Sequence, residues 1–282
     1  MEARIGRYRV EVATGFGPRV TGLSIDEGPE LLARLDPATG LALDGGGFYR
    51  FHGGHRLWAA PEVPDVTYAP DDHECSVIRD GEALTVSAPV DRAGLVKEIS
   101  VAAFAGGDAL VIDHRLTSWG GTVDVAPWAI TQVPLGGTAI LPVSGPGDGL
   151  QANRSLVLWP YTDLWDDRIG WRGDLVLIDA AGGPPVKLGS GPAPGRIGYF
   201  HQGILFVKKI PAATEGDYPD RGAVGQVYVG QGFCELESMG PLVTLVDGAS
   251  VTHRETWTVV DCADLEAACA TVSGTVPSGR AR

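Results

Sequence analysis

The sequence predicts an all-β protein, an antiparallel β-supersandwich in which roughly 15 to 20 strands are divided between two large packed sheets. Three observations support this fold class. Short segments with alternating or β-branched apolar residues recur along the chain, tight-turn sequences separate them, and helical patterns are rare. The composition agrees, because 40 Gly, 20 Pro and 44% hydrophobic residues suit many short strands joined by tight turns.

The predicted strands run from the N-terminus to the C-terminal region. They are Tyr8–Val12, Arg19–Ile25, Leu84–Ala88, Val96–Phe104, Leu110–Leu116, Val123–Gln132, Leu175–Ile178, Ile204–Lys209, Gln226–Val229, Leu242–Val246 and Val251–Val260. Turn sequences such as Asp44-Gly-Gly-Gly47 and Asp247-Gly248 lie between them. We interpret the Gly/Pro-rich segment Gly182–Gly195 as a long loop, because strand-like sequence resumes on both sides.

Two short helices are predicted. Glu30–Leu35 has the length of about two turns, and Asp264–Val272 forms a C-terminal helix that Asp264 caps. Residues 1–272 are expected to form a single β-supersandwich domain, and residues 273–282 a disordered tail.

Charge and cysteine content exclude several classes of function. The formal net charge of −13 argues against binding to nucleic acid or to anionic membranes. No apolar run approaches the ~20 residues that span a bilayer, and the start of the chain lacks a hydrophobic signal core, so a cytoplasmic protein is expected. The four cysteines have no metal-like spacing and are expected to be free thiols.

No cofactor and no metal ion are expected. The chain lacks a phosphate-binding loop, a dinucleotide fingerprint, a His-Glu-x-x-His helix and a Gly-x-Ser-x-Gly nucleophile turn. His52 and His55 lie three residues apart, with Asp71, Asp72 and His73 further on, and this spacing is not diagnostic of a metal site.

The segment Gly232–Pro241 places two carboxylates on one face of a predicted strand. Side chains alternate across a strand, so Phe233, Glu235 and Glu237 share a face. If that face is partly closed to water, one carboxyl group should keep its proton well above the ordinary pKa of Glu and serve as a general acid or base. The alternative is a solvated outer face without function. Phe233 on the same face favours a cleft.

The segment Gly53–Glu62 combines groups that sugars require. His55, Arg56, Trp58 and Glu62 offer a titratable ring, a guanidinium with five donors, a flat apolar surface and an acceptor. Hydroxyl groups take hydrogen bonds, and the C–H face of a sugar ring stacks on an aromatic side chain. A surface loop with an ordinary Arg–Glu pair is the alternative.

Other segments have two interpretations each. Trp128 and Gln132 share a face of one predicted strand, which marks either a binding cleft or a sheet edge. The aromatic and acidic run Trp159–Arg168 forms either a loop over a cleft or a satellite hydrophobic cluster. His253 and Glu255 in the last strand are either a buried pair or part of a pocket, and base rates favour the pair.

These segments resemble the galactose mutarotase-like superfamily of sugar-binding proteins, and in particular a bacterial branch of it labelled DUF4380. Gly53–Glu62 is similar to that branch's Gly-Gly-x-Arg-Leu-Trp-x-Ala-Pro-Glu segment, at the position where aldose 1-epimerases carry a sugar-contacting Arg. Gly232–Ser238 is similar to the epimerase segment that supplies the catalytic Glu. Pro241–Gly248 followed by His253–Trp257 is similar to the closing hairpin of that fold.

The resemblance implies a carbohydrate-binding protein whose partner is a small free sugar or sugar derivative, with isomerase chemistry of the aldose 1-epimerase type. Glu237 or Glu235 would accept the anomeric proton. Glu237 is favoured, because Glu-Ser-Met before a Pro matches the epimerase pattern Glu-Thr-Gln before a Pro. The implied substrate-binding residues are His55, Arg56, Trp58, Trp128, Gln132 and Lys208.

The chain departs from the epimerases at the acid. The region that matches their ring-oxygen histidine, Pro127–Pro134, contains no His, so His55, His201 or Lys208 would have to supply the proton. Two alternatives follow from this departure. The first is a non-catalytic sugar-binding protein that has lost the acid. The second is a sugar-acid isomerase or lyase, in which Arg56, Lys208 and Lys209 hold a carboxylate.

Overall fold

The structure, a computed structural model, describes residues 1–44, 46–104, 106–144, 149–191, 195–211 and 215–274. Strands dominate it. The first half contains β1 (Glu2–Ile5), β2 (Tyr8–Val12), β3 (Arg19–Ile25), β4 (Gly40–Ala42), β5 (Phe48–Arg50), β6 (His55–Ala60), α1 (Pro64–Thr67), β7 (Ser76–Asp80), β8 (Ala83–Ser87), β9 (Leu95–Ala103), β10 (Leu110–Ser118), β11 (Val123–Val133) and β12 (Thr138–Pro142).

The second half begins with short strands and ends with the longest strand and a helix. It contains β13 (Val157–Leu158), β14 (Ile169–Arg172), β15 (Leu175–Asp179), β16 (Val186–Ser190), β17 (Arg196–His201), β18 (Ile204–Lys209), α2 (Pro219–Gly222), β19 (Gly225–Val229), β20 (Cys234–Met239), β21 (Val243–Leu245), β22 (Ser250–Asp261) and α3 (Leu265–Ser273).

Two 10-stranded sheets form the molecule, together with the small β4–β5 hairpin, and the all-β antiparallel prediction is confirmed. The front sheet has the order β1-β2-β3-β6-β11-β20-β19-β16-β13, with β21 paired to β11. The back sheet has the order β14-β15-β12-β17-β18-β22-β10-β9-β8-β7. One hydrophobic cluster includes residues of both sheets, among them Leu57 and Leu236 from the front and Ile112 and Trp257 from the back.

Two local predictions were wrong. Glu30–Leu35 is not helical, because its polar groups bond to the front sheet: the Glu30 carboxylate accepts the Leu23 amide at 2.7 Å, and the Ala33 amide donates to the Gln132 carbonyl at 2.8 Å. The segment Gly182–Gly195 is not simply a loop, because Val186–Ser190 pairs with β19 and β13 as strand β16.

The C-terminal helix prediction is confirmed. The Asp264 side chain accepts the Ala267 amide at 2.8 Å, and Gly274 at φ 74° closes the helix, which extends one residue beyond the prediction to Ser273. Residues 275–282 of the predicted tail lie outside the described residues. None of the described helices has the length and apolar character that crossing a bilayer requires.

Candidate functional site

Three neighbouring strands of the front sheet, β6, β11 and β20, form the floor of a cleft. Residues directly opposite each other in an antiparallel pair project from the same face. Between β6 and β11, Trp58 lies opposite Trp128 and Arg56 lies opposite Ile130. Between β11 and β20, Ile130 lies opposite Glu237 and Gln132 lies opposite Glu235. The outer face of the sheet therefore collects Arg56, Trp58, Trp128, Ile130, Gln132, Glu235 and Glu237.

The sequence Gly53–Glu62 takes a different form from a loop. His55–Ala60 is a central strand between β3 and β11, and all six of its residues are buried. Gly53 and Gly54 precede it at φ 82° and 73°, and a Cβ on either glycine would lie 2.1–2.2 Å from a backbone carbonyl oxygen. The glycines are needed where the chain enters the strand in close contact with neighbouring backbone.

The cleft above this floor has a volume of about 760 Å³, counting its open mouth. Its walls are mainly aromatic, and they add side chains from outside the three floor strands. The aromatic lining consists of Phe51, Trp58, Tyr68, Trp128, Tyr161, Tyr228 and Phe233, and the charged lining of Arg56, Glu62, Lys187 and Glu235.

Arg56 and Glu235 form one ion pair in the cleft. Arg56 Nη2 donates to Glu235 Oε1 at 2.9 Å, and Gln132 Nε2 donates to the same oxygen at 3.0 Å. The guanidinium is stacked 4.0 Å from the centre of the Trp58 ring. Although Arg56 is only 2% exposed, its Nε and Nη1 have no hydrogen-bond partner in the described part of the chain.

Glu237 lies deeper than Glu235. It is fully buried, and its Oε2 accepts the Trp128 indole N–H at 2.8 Å and the Lys187 ammonium at 2.8 Å. Its Oε1 has no hydrogen-bond partner among the described residues. Burial raises the pKa of the Glu237 carboxyl group; the Lys187 ammonium opposes that rise, and the neighbouring Glu235 adds to it.

Lys187 was missed at the sequence level. It lies in β16, inside the segment interpreted as a loop, and pairs with Tyr228 of β19 so that its side chain reaches the cleft. Its ammonium lies 4.7 Å from the centre of the Trp128 ring and 4.6 Å from that of Trp159. The alternation Val-Lys-Leu at 186–188 was the available signal, since a lysine between two buried apolar residues of a strand points to the opposite face.

The aromatic loop after β13 takes part in the site. Tyr161 lines the cleft, and Thr162 Oγ1 donates to the Lys187 carbonyl at 2.8 Å and accepts the Lys187 amide at 2.9 Å. Trp165 in the same loop is 91% exposed. The part of the predicted loop nearest Trp159 therefore lies over the cleft, whereas Trp165 projects into solvent.

The structure places His55 and Lys208 behind the floor rather than in the cleft. His55 is the chain neighbour of Arg56 and points to the opposite face, where its Nδ1 lies 2.9 Å from Thr131 Oγ1. Lys208 belongs to the back sheet, and its ammonium lies 3.0 Å from Glu255 and donates to the Leu236 carbonyl at 2.8 Å. Both side chains are fully buried between the sheets, so the expected contact with substrate is not supported for either residue.

His253 and Glu255 are buried and share a partner, as base rates favoured. Ser238 Oγ lies 2.6 Å from His253 Nε2 and also donates to Glu255, whose Oε2 accepts the Trp257 indole N–H at 2.7 Å. Burial, with a smaller contribution from the nearby His114, lowers the pKa of His253 to about 4. His201, another candidate acid, lines a separate groove with Leu31 and Pro134.

One compact set of potential metal ligands lies in this buried network. Donor atoms of His55, His114 and Glu255 lie within 4.8 Å of one another. The two histidine Nε2 atoms are already in contact at 2.6 Å, and the Glu255 carboxylate binds the Lys208 ammonium. The set is therefore satisfied within the protein, and a cation would have to displace an ammonium group from it.

Structural comparisons identify the fold. A galactose mutarotase-like protein from Lactobacillus casei matches with a TM-score of 0.57 and 12% identity over 92% of this chain and 99% of its own. A putative aldose 1-epimerase from Escherichia coli matches with a TM-score of 0.52 and 14% identity over 92% and 98%. The chain therefore has the galactose mutarotase-like fold, as its sequence segments indicated.

A third matching structure is a longer chain, of which this protein covers about half. A TPR-domain containing protein from Parabacteroides distasonis matches with a TM-score of 0.60 and 14% identity, and it covers 100% of this chain but 49% of its own length. No protein-family model and no curated protein sequence matches the chain. Membership of the DUF4380 branch stays a prediction.

Proposed function

We propose that this protein binds a free sugar in the aromatic cleft of the front sheet and interconverts its anomers by acid/base chemistry of the aldose 1-epimerase type. The observation that carries the proposal is the set of polar groups left without partners at the cleft floor. Arg56 lines the cleft, and its Nε and Nη1 are buried and have no hydrogen bond to any described residue.

Such groups are expensive to bury. An unsatisfied buried donor or acceptor costs about 1–3 kcal/mol, and more if it is charged. A polyhydroxylated ligand relieves this cost, because each hydroxyl group both donates and accepts hydrogen bonds. The aromatic walls suit the C–H faces of a sugar ring, and the charged side chains between them suit its hydroxyl groups.

We assign the role of base to Glu235. Its Oε1 accepts hydrogen bonds from both Arg56 and Gln132, and no described residue occupies Oε2. Glu235 also lines the cleft, whereas Glu237 is fully buried beneath Trp128 and Lys187. This assignment reverses the preference for Glu237 that the epimerase pattern suggested.

The proposal is tested by measuring binding and turnover on the same preparation. Titration calorimetry with a panel of common aldoses should show saturable binding, and polarimetry on freshly dissolved α-anomers should show mutarotation above the uncatalysed rate. Glu235→Gln should lose this turnover. Glu98→Gln is its matched control and should keep the turnover, because Glu98 also pairs with an arginine on a strand but lies in the back sheet. A folded protein that binds none of the sugars contradicts the proposal.

Sugar binding without catalysis is the second candidate function. The described cleft-lining residues include no histidine, and this favours the alternative, because the aldose 1-epimerases that the sequence resembles use a histidine as the acid. This alternative predicts saturable binding without turnover for every sugar tested. It is contradicted if millimolar sugars do not raise the melting temperature.

A further inference from the structure

We propose that Lys187 supplies the acid of this site by donating a proton to the ring oxygen of the bound sugar. The inference rests on the proposed anomer interconversion and names the residue that protonates the ring oxygen. Opening a pyranose ring needs a base at the anomeric hydroxyl and an acid at the ring oxygen. Glu235 fills the first role, and no histidine among the described lining residues fills the second.

Lys187 has donors to spare. An ammonium group carries three N–H bonds, and the one acceptor that the described residues provide is Glu237 Oε2 at 2.8 Å. The side chain is 6% exposed and lines the cleft, so a ligand bound in the cleft lies beside it. A mostly buried ammonium with unused donors in an aromatic cleft is suited to an oxygen atom of the ligand.

The surroundings hold the ammonium in one place. The rings of Trp128 and Trp159 lie 4.7 and 4.6 Å from Nζ, and two hydrogen bonds to Thr162 fix the backbone of the residue. Glu237 fixes the charged end at the floor. Glu237 is therefore a positioning residue for Lys187, and its burial beneath the floor suits that role better than contact with substrate.

The register places Lys187 and Glu235 on either side of Tyr228, on one face of the front sheet. Lys187 pairs with Tyr228, and Tyr228 pairs with Glu235, so the three residues form one row across β16, β19 and β20. Two strand spacings separate the outer residues by about 10 Å at the backbone. Both side chains line the same cleft, so one ligand bound there can contact both of them.

The proton transfers balance. The Glu235 carboxylate takes the proton of the anomeric hydroxyl, the C1–O bond to the ring oxygen breaks, and the electron pair of that bond leaves with the ring oxygen. Lys187 gives that oxygen a proton and becomes a neutral amine, and C1 becomes an aldehyde carbon. After rotation about C1–C2, the same transfers in reverse close the ring as the other anomer and restore both side chains.

The test compares Lys187→Met with Lys97→Met. Lys97 is a matched control, because it is 5% exposed and pairs with Asp91 at 2.9 Å on the other sheet. We expect Lys187→Met to lower kcat by about 10²–10⁴ while the dissociation constant for sugar changes by no more than a few fold. Lys97→Met should keep the wild-type kcat. Full activity in Lys187→Met, or a loss explained entirely by weaker binding, overturns the inference.

Two further variants guard against misfolding and separate charge from proton transfer. Lys187→Arg keeps a cation beside Glu237 but gives up its proton far less readily, so it should fold and be slow. Lys187→His should regain part of the rate, and that rate should fall above pH ~6.5 as the imidazole loses its proton. A Lys187→His protein no faster than Lys187→Met overturns the role as proton donor. Wild-type protein without turnover refutes the proposed function as well.

Discussion

The Nε2 atoms of His55 and His114 lie 2.6 Å apart between the two sheets. His114 Nδ1 lies 2.9 Å from the His253 carbonyl, which can only accept, so His114 Nδ1 carries the proton and its Nε2 is an acceptor. His55 must then donate from Nε2 and accept the Thr131 hydroxyl at Nδ1, 2.9 Å away. Both rings are neutral in this arrangement, and it joins the back of the cleft floor to the back sheet.

This network predicts that the protein loses stability in mild acid. Burial lowers the pKa of His55, His114 and His253, for His253 to about 4, so these rings stay neutral in the folded state when the unfolded chain binds protons. The stability that these neutral rings contribute to the folded state is fully present above the unfolded pKa of about 6.5 and is lost as the pH falls below that value. Between pH 7.5 and 5, each ring that stays neutral should lower the free energy of unfolding by about 2 kcal/mol.

Urea unfolding at pH 7.5, 6.5, 5.5 and 5 measures this effect. His253→Gln should be less stable than wild type at pH 7.5 but should have a shallower pH dependence, because one ring no longer titrates. Equal unfolding free energies for the wild-type protein at pH 7.5 and pH 5 would contradict the assignment of neutral buried rings.

Lys208→Met should destabilise the protein strongly. Lys208 and Glu255 are both fully buried at 3.0 Å, and removing the ammonium leaves the carboxylate buried without its cation. We expect a loss of about 3–5 kcal/mol, seen as a lower melting temperature. Arg254→Met, which breaks the exposed pair with Asp113, should cost no more than about 1 kcal/mol. A similar loss of stability in the two variants would show that the buried ion pair stabilises the protein no more than the exposed one.

Substitution of each cleft carboxylate should separate their roles. Glu235→Gln removes the proposed base and should lower the rate of mutarotation by about 10²–10⁴, with sugar binding retained. Glu237→Gln keeps a hydrogen-bond acceptor for Lys187 and Trp128 and should have a smaller effect on rate. Polarimetry on both variants decides the assignment. A large loss in Glu237→Gln alone would restore the sequence-based preference for the deeper carboxylate.

The cap of the C-terminal helix gives a prediction independent of function. Asp264→Ala removes the acceptor of the Ala267 amide and should lower the unfolding free energy by about 1 kcal/mol. Asp264→Ser should keep most of the stability, because a serine hydroxyl also caps a helix. Thermal denaturation of the two variants measures the difference. Equal melting temperatures for Asp264→Ala and Asp264→Ser would show that the side-chain cap does not stabilise the protein.

The sequence was informative where local patterning decides the outcome. Tyr8–Val12, Arg19–Ile25 and Ile204–Lys209 match observed strands at both ends, because alternating apolar residues or a short apolar run are direct signals of a strand. It was misleading at Glu30–Leu35, where a helical pattern is overridden by hydrogen bonds to the front sheet. It also missed β16, because a strand of five residues between glycines and prolines has too little pattern to stand out.

By itself, the sequence determined the fold class and the pairing of Phe233, Glu235 and Glu237 on one face, because strand geometry alone sets that alternation. Only the tertiary structure decided what each carboxylate contacts. Arg56 and Glu235 are 179 residues apart, and Lys187 and Glu237 are 50 apart. Those contacts follow from strand order and register, which arise when the sheet assembles around its core and which a single sequence does not display.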